Sequence, residues 1–436
     1  MSLLAVGVPK LRVAICGGGI GGLTLACALS HTKEIAVDVY EKAADFSPEV
    51  GAGISIGSRI KPFLSELGLA EEVVSLSARS KGSKFSINKA DTSEVQPIVE
   101  GESDDTSMLH RADFHNILFR RIPKYIGVHN KKALVSYSDP HDDNSTVRLD
   151  FADGSSATCD VLVGADGVKS AVRAALLETL AQSAQDQGKA AALRESIEPR
   201  FSGVTSYRTV VPKEKSALPA DSPVWASAAR IYTGGGVSLV TYPMSRGNKL
   251  NTALYTVDYS KEDQPHPQPW VEQVKGDELV SVLDNWAQEP RDVITGFKGL
   301  NTKKWVINVV GPLESWSAGR VTLLGDAAHA MTPFQGAGAG QAMEDAHVLS
   351  ALLMNPRITR DNVHKALNVY SDIRQPIATA FQEASRTAGK LMSNATMTVE
   401  ELKTEFWLSG QSVWARPKLE DDVKQAVELL EKIVAA

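Results

Sequence analysis

Leu11 to Cys16 is a short apolar run that passes directly into Gly17-Gly18-Gly19-Ile20-Gly21-Gly22. Gly17, Gly19 and Gly22 match G-x-G-x-x-G, the spacing that lets backbone turn tightly and approach a pyrophosphate at a helix N-terminus. Leu23 to Ser30 then reads as a helix of small apolar residues, and Ile35 to Tyr40 as a second strand with Val37 and Val39 alternating. Strand, glycine turn, helix and strand in that order open a doubly wound α/β sheet. The uncharged stretch from Val13 to Thr32 resembles a membrane span in length only, because its five glycines suit a turn. Glu41 ends the second strand about twenty residues on, where an acid accepts from an adenosine ribose and repels a 2′-phosphate. The ligand expected here is FAD or NAD rather than NADP. A glycine turn that serves helix packing alone is the competing reading, and the strand, helix and terminal acid weigh against it.

Further along, Lys131 to Ser138 and Thr146 to Phe151 alternate as strands, and Asp153-Gly154 marks a hairpin turn. Ser170 to Arg194 reads as helix and polar linker. From Arg200 to Tyr259 the pattern changes. Segments near Val204–Val211, Val224–Tyr232, Val237–Pro243 and Asn251–Tyr259, separated by Pro, Gly and Ser, predict an antiparallel sheet and a second domain. Pro269 to Gln288 looks helical, and helical periodicity dominates from Gln341 onward.

Two more motifs carry chemistry. Val161 to Val163 is a buried strand leading to Asp166-Gly167, with Ser170 and Arg173 at a helix start. Arg320 to Leu324 runs into Gly325-Asp326, followed by His329, Pro333-Phe334-Gln335-Gly336 and Gly338-Ala339-Gly340. A strand-end aspartate there can bind a ribityl hydroxyl, and the glycine-rich loop offers backbone N–H groups to a flavin's negative charge.

Taken together, in this order and at these separations, the three motifs resemble the FAD-dependent aromatic hydroxylases, the class A flavoprotein monooxygenases, with wording closest to the salicylate hydroxylase branch. The resemblance covers most of Leu11 to about Ala388. It implies an α/β fold: a Rossmann-like FAD-binding domain of the para-hydroxybenzoate hydroxylase type, an inserted antiparallel β-sheet substrate domain, and C-terminal helices. The expected boundaries are 1–195 for the first part of the FAD-binding domain, 196–311 for the substrate sheet, 312–385 for the second FAD part and 386–436 for the C-terminal helices. It implies FAD as cofactor, NAD(P)H as co-substrate, and hydroxylation of a small phenolic ring by O2 through a C4a-hydroperoxyflavin. Glu41 then contacts the adenosine ribose, Ala52 or Gly53 lies near the flavin, and Arg111 contacts FAD. Asp166 belongs to the motif tied to FAD and the nicotinamide donor. Asp326 holds the ribityl-pyrophosphate region, and Gly338 and Ala339 lie beside the isoalloxazine. Arg208 and Tyr242 match the substrate-side pair of phenol-oxidising relatives. The matching arginine can hold a phenolate or a carboxylate, and a guanidinium would favour an anionic ring oxygen; the competing view is an Arg208 ion pair and a packed Tyr242.

Departures matter too. Phe334 stands where salicylate-type relatives commonly carry histidine, which puts salicylate itself in doubt. Ser58-Arg59 replaces a frequent Pro-Asn, leaving Arg59 either at the flavin's edge or solvated. His329 reads as structural. Decarboxylating or dearomatising hydroxylation, and a non-catalytic flavoprotein binding module, remain as alternatives; a flavin halogenase lacks its Trp-x-Trp-x-Ile-Pro signature here. The 46 basic and 52 acidic residues net to −6, with no Lys/Arg block for nucleic acid. Three scattered cysteines (Cys16, Cys27, Cys159) give neither a disulfide framework nor a metal pattern, and no paired histidine spacing suggests a metal. A cytoplasmic monomer or homodimer, without membrane contact, is expected.

Overall fold

The computed structural model describes residues 8–44, 53–77, 84–102, 106–139, 146–244, 247–414 and 416–435. Leu11–Cys16 lies inside a six-stranded sheet of order Ser317–Ala318, Val321–Leu323, Val161–Gly164, Leu11–Cys16, Ile35–Tyr40, Gly127–His129. All neighbours run parallel except Ser317–Ala318, which folds back on Val321–Leu323. Val161–Gly164 and Val321–Leu323 are buried along their whole length, as strands covered by helices on both faces must be. Helix Ile20–Leu29 buries every residue except Gly21. That glycine lets Leu324 and the helix Gly338–Met354 close in, since a side chain there would meet Leu324 and Ala342. The first and third sequence motifs are thereby packed against each other.

A second, eight-stranded sheet has the order Val271–Lys275, Asn301–Val309, Arg200–Pro212, Lys249–Val257, Val237–Met244, Ala229–Gly234, Lys84–Lys89, Gln96–Glu102. It is antiparallel apart from the parallel pairing of Ala229–Gly234 with Lys84–Lys89. The sheet departs from the sequence reading in three places. The stretch after Pro269 is helical only in part: Val271–Lys275 is a strand paired with Asn301–Val309, and Gly276–Leu283 is a 3-10 helix. The edge pairing, with Glu272 and Lys304 joined at 2.6 Å, overrides weak local propensity. Nor does a boundary at 195 separate the two sheets, because Lys84–Lys89 and Gln96–Glu102, within 1–195, complete the second one. The predicted strand over Val224–Tyr232 begins only at Ala229, since Pro223–Trp225 forms a turn capped by Ser222.

A smaller antiparallel sheet (Leu134–Ser138, Val147–Phe151, Ser156–Cys159) flanks the first sheet. Helices Val363–Met392, Val399–Trp414 and Leu419–Ala435 close the chain. Among the described residues no helix is long and apolar enough to cross a membrane.

Candidate active site

At Gly17 the backbone has φ +115°, and a Cβ would overlap the carbonyl of Ala165 at the end of the neighbouring strand. A Cβ at Gly22 would overlap the carbonyl of Gly17. These two glycines shape the turn, whereas Gly19 faces open space. Gly19, Ile20 and Gly21 line a cleft of about 1560 Å³ between the two large sheets. Glu41 braces the turn from the next strand: its carboxylate accepts from Gly18 N at 2.7 Å and from Ala43 N at 2.8 Å. His115 Nε2 lies 2.7 Å from Gly18 O, a brace with no motif to announce it.

The second motif enters the cleft through backbone. Ala165 and Gly167 line it, while the Asp166 side chain turns into the following helix. Its carboxylate takes the Ser170 hydroxyl at 2.5 Å and the N–H groups of Ala171 and Val172 at 2.8 and 3.2 Å. Burial raises its pKa against the pull of those hydrogen bonds. Asp166 is therefore placed as a helix cap, and a direct contact of its side chain with FAD has no support in this geometry.

Gly325, at φ +65°, delivers Asp326 to the cleft with its side chain exposed. Gly338 and Ala339 line the same cleft at the N-terminus of the 17-residue helix Gly338–Met354, whose unsatisfied N–H groups favour negative charge. Behind this turn lies a buried charge network. Asp345 accepts from Gly325 N (3.0 Å) and Arg374 Nε (2.8 Å) and sits 2.6 Å from His329 Nε2. Arg374 also donates to Glu344 (2.9 Å) and Gln341 (2.7 Å). Burial opposes the Asp345 charge, yet His329 and Arg374 hold its carboxyl below the ordinary value. His329 is thus a structural partner beneath the turn. Arg59 does not line the cleft: its mostly buried side chain joins Glu344 (3.2 Å) to Asp422 (2.9 Å) on the last helix.

Gly53 and Arg111 also line the cleft; Ala52 lies outside the described residues. A Cβ at Gly53 would fall on the Tyr242 hydroxyl, so this glycine admits the phenol against backbone. Arg208, Tyr242, Asn251, Ala253 and Tyr255 form the sheet wall opposite. The Arg208 guanidinium donates to Ser206 Oγ at 3.0 Å and meets no carboxylate among the described residues. Burial pushes the Tyr242 phenol well above its ordinary pKa, with Tyr255 adding to the rise and Arg208 opposing it. Phe334 packs on Tyr255 with ring centroids 5.5 Å apart, making that corner apolar. Of the residues singled out from sequence, the cleft's lining includes Gly19, Gly53, Arg111, Arg208, Tyr242, Asp326, Gly338 and Ala339, while Gly17, Gly22, Glu41 and Asp166 stand behind it. Asn251 was missed, since a polar residue inside a strand carries no local signature.

The site suits FAD by shape: an open glycine face at Gly19, a second helix N-terminus at Gly338, and an exposed acid at Asp326 converge on one cleft. Comparison with known proteins agrees. An FAD binding domain model matches residues 10–385. The chain is 33% identical over 457 residues to the FAD-dependent monooxygenase str9 of Strobilurus tenacellus, covering 97% of this chain and 98% of that one. It is 32% identical to a salicylate hydroxylase of Pseudomonas putida, covering 88% of this chain and 86% of the other. With the 6-methylsalicylate 1-monooxygenase atA of Aspergillus terreus the identity is also 32%, over 98% and 93% of the two chains. Among solved structures, a salicylate hydroxylase substrate complex superposes with TM-score 0.80 at 30% identity, over 96% of this chain and 98% of that one. Shared fold, shared motifs and near-complete coverage lead to one assignment: the chain belongs to the FAD-dependent aromatic hydroxylases of the salicylate hydroxylase type and is a flavin monooxygenase of aromatic compounds.

Proposed function

We propose that the substrate is a phenol held as its anion between Arg208 and Tyr242, oxidised at the expense of NAD(P)H and O2. The observation that carries this reading is the guanidinium of Arg208, turned to a cleft and lacking a carboxylate partner among the described residues. A half-buried cation without a counter-ion favours binding an anionic oxygen, and deprotonation makes the ring electron-rich. Tyr242, kept protonated by burial, is a donor to the same oxygen. Bound FAD supplies the hydride acceptance and oxygen transfer that side chains cannot. The chain's own part is to seat the flavin by Gly19, Asp326, Gly338, Ala339, Gly53 and Arg111, with Glu41 bracing the glycine turn from behind. It also aligns the ring and keeps bulk water out with an apolar wall that includes Phe334 and Tyr255. Phe334 offers no polar partner to a substrate carboxylate, which favours phenols over salicylate. Three buried, unpaired thiols suit a reducing cytoplasm.

The test is a panel of hydroxybenzoates, pyridine acids and acylphenols scored for accelerated NAD(P)H loss with matched product. A gain of one oxygen supports hydroxylation, and release of carbon dioxide marks decarboxylation instead. A colourless protein that no FAD restores, or flavin reduction insensitive to every aromatic, overturns the reading.

A further inference from the structure

We propose that Asn251 is a third substrate contact, one that selects a ring carrying a second hydroxyl beside the oxygen held by Arg208 and Tyr242; this rests on the reading above. Side chains along a strand alternate between faces, so Asn251, Ala253 and Tyr255 share the cleft side of Lys249–Val257, while Leu250 and Leu254 pack in the core beneath the sheet. In register, Asn251 stands directly across from Tyr242 on one neighbouring strand. On the other side, Arg208 stands across from Ala253, two residues along the same strand. Asn251 is thus on the middle strand, next to both proposed anchors.

The amide itself is the second observation. Asn251 is 5% exposed, and its Oδ1 is buried with no hydrogen-bond partner. Its neighbours facing the cleft, Val240 and Ala253, show that an apolar side chain fits this wall. A buried acceptor left unpaired is costly, so a fold that needed only packing here would not gain from asparagine. A ligand hydroxyl that donates to Oδ1 removes the penalty when the site is filled. These side chains on one sheet face then read two ring oxygens: Arg208 and Tyr242 take the anionic one, and Asn251 takes the proton of its neighbour.

The experiment measures equilibrium binding of 3,4-dihydroxyacetophenone, 3-hydroxyacetophenone and 4-hydroxyacetophenone to the FAD-loaded enzyme, through the change in flavin absorption. The wild type is expected to bind the dihydroxy ring about tenfold tighter than either monohydroxy ring. Asn251→Leu, similar in size and apolar, is expected to bring all three within about threefold of one another, with Asn251→Ala as the second variant should the leucine prevent FAD loading. Equal binding by the wild type, no binding of the dihydroxy ring, or a preference that survives in the variants overturns the inference. Equal binding by the wild type overturns the inference even if neither variant folds. Phenol-stimulated NAD(P)H loss across the wider panel, measured beside it, shows whether the reading above stands when this inference falls.

Discussion

A methyl group at Gly17 would collide with backbone that cannot move without parting two parallel strands, and the backbone there has φ +115°. Gly17→Ala is therefore expected to destabilise the protein by roughly 3 kcal/mol and to lower its FAD content. Urea denaturation and the flavin-to-protein absorbance ratio check this. Arg208→Ala makes the opposite test, because that side chain faces the cleft and supports little of the fold. It should keep FAD while kcat/KM for the best phenol falls about 100-fold, a loss of about 3 kcal/mol. Unchanged kinetics would remove Arg208 from the site. At this scale the sequence was readable wherever backbone geometry demands one residue type, as at Gly17 and Gly22. Asp166 shows the limit: its motif is visible, but which way the carboxylate turns depends on the N–H groups of a helix yet to be formed.

Among the elements, the helix Gly338–Met354 does two things. Its first turn faces the cleft, and its middle anchors the charges that hold the Gly325 turn. His347 lies on its outer side, with its ring 4.0 Å from that of Phe63. Burial lowers the His347 pKa to about 4 despite the opposing charges of Glu420 and Glu344. An unfolded histidine takes up its proton near about 6.5, so between these values the unfolded chain binds a proton the folded one refuses. Stability is expected to fall as pH drops from about 6.5 to about 4, and His347→Gln should flatten that part of the curve. Melting temperatures across the range decide it, and identical slopes for both proteins count against the assignment. Regular apolar patterns made four strands of the first sheet legible, at Leu11–Cys16, Ile35–Tyr40, Val161–Gly164 and Val321–Leu323, but not the short edge strands Gly127–His129 and Ser317–Ala318. They failed after Pro269, where Val271–Lys275 takes its shape from pairing with Asn301–Val309 rather than from its own sequence. Arg59 escaped for a similar reason: its partner Asp422 is 363 residues away.

For the molecule as a whole, the cleft lies between two sheets and is lined by residues from both. Filling it with FAD links ligand binding to global stability. Free FAD at about 100 times its dissociation constant should add about 2.7 kcal/mol, with a melting temperature that climbs as FAD is raised. A melting temperature indifferent to FAD would mean that the three motifs do not grip it. The two-sheet plan and the convergence of the motifs followed from local signals, but the route of the chain between the sheets did not. Lys84–Lys89 leaves the first body to lie parallel to Ala229–Gly234, and nothing near residue 84 names so distant a neighbour. This crossing constrains anyone who would exchange substrate modules between relatives. A cassette cut at 196 and 311 would leave Ala229–Gly234 as a raw, sticky border, so a working chimera has to carry the 84–102 ribbon with the graft.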